Sequence, residues 1–205
     1  MWPRILRWLH HDRLAVRVAS ALVIGHLLIF AGWIAGYYLL PERALHGWLS
    51  SGAPIEPTSL VPLAAQLFAY NVCLPGLATV WLSRVRAGGY SLGYNVPFLN
   101  SVLYGLWLGT NSFAVPLPQR LAPTLAVYYT RSGPYEMTAL LLVAAALARS
   151  ASIVQETFWG GRTVYIPAAE RRLHLREYLV IAFAVLLLAV ANTVEAWMWL
   201  EAIRT

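Results

Sequence analysis

Ionisable side chains are scarce in the apolar stretches of this sequence, so the few found there carry the chemical question. They are His26, Arg131, Glu136 and Glu195, with the amides Gln66, Asn71, Asn100, Asn111 and Asn192. A charge inside a membrane is expensive and rarely faces lipid. Glu136 and Glu195 could form an acid/base pair acting on a lipid, and Arg131 could pair with either carboxylate. Asn192 and Glu195 are three apart and share a helix face. Fuller catalytic patterns are missing. The chain has no H-E-x-x-H, no G-x-S-x-G and no G-x-x-x-x-G-K-[ST]. Asp12 is its only aspartate, so the paired intramembrane aspartates of one protease class cannot form. "HHD" at 10–12 lacks partner ligands, and Cys73 stands alone. The expectation is a protein without catalytic activity, metal site or cofactor.

The elements that must position these residues are membrane helices. Of 205 residues, 59% are hydrophobic and 12% charged, against about 25% charged in soluble domains. All fifteen basic residues are arginine and the net charge is +6. The arginines flank apolar segments, which reads as membrane topology and not as nucleic-acid binding. The first apolar run, 14–40, is too long for a cleaved signal peptide. The fold class expected is an all-α integral membrane protein. It has an interfacial amphipathic segment at 1–13, with Trp2, Ile5, Leu6 and Leu9 opposite Arg4, Arg7 and His11. A single helical membrane domain follows at 14–205, with spans at about 14–40, 58–82, 91–115, 133–156 and 177–202.

The connectors alternate in charge. Arg4, Arg7, Arg13 and Arg17, then Arg84 and Arg86, then Arg149, Arg162, Arg171, Arg172 and Arg176 fall in every second one. The 41–57 and 116–122 connectors hold one arginine each. Positive charge stays inside, which predicts a multi-pass protein of the cytoplasmic (inner) membrane, its N-terminus cytoplasmic and its C-terminus outside.

Two spans contain breakers. Pro97 can start or kink the third. At "RSGPYE" Gly133 suits an N-cap, Pro134 the first helical position, and Glu136 the positive end of the helix dipole. The fourth helix is therefore broken near Gly133-Pro134, and 121–131 is a separate short element. Depth along the spans gathers Arg131, Glu136, Asn192, Glu195 and Asn111 into one outer-leaflet cluster, with Arg131 paired to Glu195 or Glu136. That cluster is either structural glue or a binding pocket. His26 reads as a satisfied buried histidine. The small-residue pairs Gly32/Gly36 and Gly105/Gly109 allow close helix approach, chiefly within the molecule, and a homodimer is possible but not indicated. "GGRTVYIP" at 160–167 reads as a loop.

Four stretches, in this order, resemble the stage II sporulation protein M-like (SpoIIM-like) family of membrane proteins. "FAYNVCLPGLATVW" places Phe68 and Asn71 at an aromatic–x–x–Asn pattern. "VLYGLWLGTN" matches Asn-Gly-x-x-x-Gly through Gly105 and Gly109, with Tyr104 replacing the asparagine. "RSGPYE" matches Pro-His-Gly-x-x-Glu at Gly133 and Glu136, with Arg131 and Ser132 at the first two positions. "ANTVEAW" carries Glu195 where the family has a glutamate in its last helix. The match covers about Phe68 to Trp197 and marks a divergent member. The resemblance implies a helical membrane fold and a non-catalytic scaffold or accessory subunit. Its partners would be membrane lipids and another membrane protein. The alternative is a permease-type transport subunit whose outer-leaflet pocket takes a small or lipidic ligand.

Overall fold

The computed structural model describes residues 2–46, 59–113, 117, 119–158 and 160–204. The expected span edges at residues 58 and 114–115, and the side chains of Trp2 and Arg4, lie outside what is described. Helices dominate: α1 (Trp2–Leu9), α2 (Leu14–Leu39), α3 (Leu60–Asn71), α4 (Leu77–Leu82), α5 (Asn95–Thr110), α6 (Leu125–Tyr129), α7 (Gly133–Leu147) and α8 (Leu175–Arg204). A π turn at Val72–Gly76 joins α3 and α4 into one rod. Pro75 lies inside that turn. It has no N–H to give the residue-71 carbonyl, and the wider turn absorbs the mismatch.

Three helices are long and apolar enough to cross a membrane: Leu14–Leu39, Leu60–Leu82 and Leu175–Ala202. The third and fourth expected spans are shorter than read. α5 has 16 residues and α7 has 15, rising about 24 and 22 Å against a core of about 30 Å. The third opens with a strand and a 3-10 turn before α5, and closes at Asn111, whose φ of 52° is left-handed. Pro97 sits in the first turn of α5 and starts that helix without kinking it. The fourth stops at Leu147, and 153–157 is a strand.

The all-α expectation is thus corrected by a small sheet. β1 (Val85–Ala87), β2 (Tyr90–Ser91), β3 (Ile153–Thr157) and β4 (Gly160–Tyr165) pair in the order β2-β1-β3-β4. The β1–β3 pair is parallel and the outer pairs are antiparallel. Gly88 and Gly89, at φ 55° and 80°, make the two-residue turn between β1 and β2. Positive φ at both positions is what a twisted hairpin of that length requires. "GGRTV", read as loop, is most of β4.

α7 is the axis of the bundle and is buried along nearly its whole length, from Gly133 to Leu147. An apolar helix with no polar face belongs in such a place. α2 and α5 run parallel beside it, so close that a Cβ on Gly36 would lie 2.8 Å from Leu106 O and one on Gly109 2.5 Å from Trp33 O. α8 covers another side through Ala184 and Leu188 against Ala139 and Leu142.

The arginine-rich connectors meet at one end. β1 pairs with β3, Tyr94 Oη donates to Leu9 O at 2.8 Å, and Arg149 contacts Asp12 at 2.8 Å. At the opposite end Arg43 N donates to Thr110 O at 2.6 Å, and Trp33 Nε1 to Leu121 O at 2.9 Å.

Candidate functional site at the helix break

The chain breaks between α6 and α7 as its Gly-Pro pair predicts. The cap is Ser132 and not Gly133: Tyr135 N and Glu136 N both donate to Ser132 O, at 2.9 and 3.2 Å. Gly133 is there for space. A Cβ on it would run into the ring of Tyr104 from α5. The break therefore closes against α5 through a glycine–tyrosine contact.

Glu136 lies in the first turn of α7 and is 8% exposed. Its carboxyl does not cap the helix backbone. It lies within hydrogen-bonding reach of the Glu195 carboxyl of α8 and the Asn71 amide of α3, while its Oε1 atom has no hydrogen-bond partner among the described residues. Asn71 Nδ2 donates to Asn192 Oδ1 at 2.8 Å, and Asn192 Nδ2 donates to Leu188 O at 2.7 Å. Asn71 is the last residue of α3 before the π turn, so both irregular helices of the bundle are irregular at this cluster. Tyr104, whose ring occupies the space beside Gly133, lies within electrostatic range of Glu136, Glu195 and Arg131.

Two expectations fail here. Arg131 forms no ion pair with Glu136 or Glu195 among the described residues, and its buried Nε has no partner. Its backbone amide lies in the turn after α6, bonded to Tyr128 O at 3.4 Å, so the guanidinium approaches the cluster without reaching a carboxylate. Asn111 is not in the cluster. It closes α5, donating to Glu42 Oε1 at 2.9 Å and to Leu117 O at 2.8 Å, and accepting from Leu117 N at 2.9 Å.

The other singled-out residues have packing roles. Phe68 packs beside Ala139, Leu142, Ala184 and Leu188. Gly105 and Gly109 face the α2 backbone, and Gly32 and Gly36 face α5, so both small-residue stripes meet within the molecule. His26 engages Tyr128 Oη through Nδ1 and Thr138 Oγ1 through Nε2, tying α2 to α6 and α7.

Three polar assemblies were not foreseen. Arg120 gathers the carbonyls of Gly36, Tyr37, Leu40 and Gly109 at 2.8–3.1 Å and lies over the Tyr37 ring at 5.0 Å. A cation at the carbonyl ends of two parallel helices meets both dipoles. Arg17 and Glu177 form a buried pair at 3.1 Å at the basic end. His10 Nε2 meets Arg86 Nη1 at 2.5 Å. Burial, then Arg86, Arg149 and Arg17, push the imidazole from 6.5 down to about 4. The signal for Arg17 and Glu177 was their placement inside apolar runs. For Arg120 the only signal was its isolation in an arginine-poor connector.

No group of three or more His, Cys, Asp or Glu able to hold a metal occurs among the described residues. No family model, curated protein or solved structure matches the chain.

Proposed function

We propose that this chain is a multi-pass membrane scaffold or accessory subunit of the SpoIIM-like kind. It acts by binding another membrane protein and not by catalysis. α2, the α3–α4 rod, α5, α7 and α8 are its five crossing segments. The basic end, with the N-terminus, faces the cytoplasm, and the C-terminus lies outside the inner membrane. The observation that carries the kinship is convergence. Asn71, Tyr104, Gly133, Glu136 and Glu195 come from the four separate stretches that carry the resemblance, and they gather at one helix break.

The scaffold role is supported by the α3–α4 rod. Only 11% of its apolar window is buried, against 28% for each of the other two long helices. Tyr70, Leu74, Leu77 and Trp81 line its open flank. Such a flank suits a partner helix packed within the membrane. In-cell photocrosslinking from position 77, followed by mild-detergent purification, tests the reading. A membrane protein captured in fixed stoichiometry is expected. A chain that purifies alone and crosslinks only to lipid would reject it.

A further inference from the structure

The Glu136–Glu195 contact leaves a demand that a shared proton or a bound cation would meet. Two carboxylates in contact repel unless a positive group or a proton lies between them. Arg131 could supply that charge but pairs with neither. With both carboxyl groups ionised, one guanidinium leaves one negative charge in excess. Glu136 is 8% exposed, and its Oε1 has no donor among the described residues. Asn71 Nδ2 gives one N–H to Asn192 and lies within reach of the Glu136 carboxyl with the other, and Asn192 Nδ2 donates to Leu188 O, but none of these reaches Oε1. Such an orphaned buried acceptor calls for a donor from outside the chain.

We infer that the Glu136–Glu195 pair binds a single primary ammonium group, admitted past Arg131 and Glu195. Those two residues are part-exposed while Glu136 is buried, which grades the site from open to closed. A primary ammonium has N–H donors for Oε1 as well as charge. A quaternary ammonium has the charge alone. The unpartnered Nε of Arg131 suits a phosphate on the same ligand. The ammonium has two sources, the ethanolamine headgroup of a phospholipid or a free amine in the outer aqueous phase. The site's placement on the outer side rests on the orientation proposed above, but the test involves no partner protein and so stands apart from the scaffold reading.

The test compares the purified protein in nanodiscs of phosphatidylcholine alone with the same discs containing equal phosphatidylethanolamine. The readouts are the thermal unfolding midpoint and lipid retained in native mass spectrometry. Phosphatidylethanolamine is expected to be retained and to raise the midpoint by several degrees, since a ligand of the folded state stabilises it. Free ethanolamine added to phosphatidylcholine discs separates the sources: an equal rise assigns a free amine, a smaller one the lipid. Glu136→Gln and Glu195→Gln should each abolish the difference between lipids. If neither folds, the headgroup comparison on the unaltered protein still decides. Equal midpoints in both lipids with no response to ethanolamine would overturn the inference, leaving a shared proton as the relief. So would a lipid difference that survives in both variants.

Discussion

Arg17 is 1% exposed. It donates from Nε to Ala145 O at 3.0 Å, from Nη1 to His11 O and Asp12 O at 2.8 and 3.2 Å, and from Nη2 to Glu177 at 3.1 Å. One side chain thus ties the α1–α2 turn, α2, α7 and α8. Removing one member of a buried pair strands the other and costs about 3–5 kcal/mol, while replacing both with apolar groups is often neutral. Glu177→Leu should sharply lower the thermal midpoint in detergent, and Arg17→Met with Glu177→Leu should recover much of the loss. His10 adds a pH dependence at the same end. Its imidazole is held near 4 in the fold against an ordinary 6.5, so the unfolded chain takes up this proton first as pH falls. Stability from His10 is complete above pH 6.5 and is lost between 6.5 and about 4. The drop in midpoint between pH 7 and pH 5 should therefore be smaller in His10→Gln than in the unaltered protein. Neither assembly was legible beforehand. Residue type and depth place a charge on a list, but the partner is set by tertiary geometry. The same limit explains Arg131, which lies beside the helix break and still forms no ion pair there among the described residues.

Between elements, the closest approach is α2 against α5. A Cβ on Gly109 would stand 2.5 Å from Trp33 O and 2.6 Å from Tyr37 N, both backbone atoms of α2. A Cβ on Gly25 would meet only the end of the Leu141 side chain. Backbone cannot yield without separating the helices, whereas a leucine tip can change rotamer. Gly109→Ala should therefore lower the yield of monodisperse protein on size exclusion far more than Gly25→Ala. Equal losses would mean that α2 and α5 do not pack as described. The long helices were readable here because each follows from a continuous apolar run, and the α6–α7 break because Gly-Pro punctuates it. The sheet was not. β1 and β2 have three and two residues, too short to show alternation. The parallel β1–β3 pair joins segments more than sixty residues apart. Even so, the Gly88-Gly89 turn was a local hairpin signal, and the π turn at Pro75 was announced by a proline inside an apolar run.

At the scale of the molecule, the question is whether a 15-residue helix crosses a membrane. α7 rises about 22 Å, yet Thr130, just ahead of it, and Arg162, beyond it, are exposed near the bundle's opposite ends. A helix sheathed by protein need not match the lipid, because its ends can stay wet while longer neighbours face the acyl chains. α7 is such a helix, and α2 and α8, which flank it, have 26 and 30 residues. On the five-pass proposal, crossing is a property of the bundle and not of the segment, and hydropathy and length alone, which give three candidate spans, would understate the number of passes. Thr130→Cys and Arg162→Cys, each in a Cys73→Ser background, test this with a membrane-impermeant maleimide. Thr130→Cys should label in intact spheroplasts, and Arg162→Cys only after the membrane is opened. The reverse pattern would invert the orientation and keep α7 as a crossing segment. Labelling of both from one side would remove α7 from the crossing set. The arginine-rich and arginine-poor connectors would then no longer sort to opposite faces, and the positive-inside argument for five passes would fall with it.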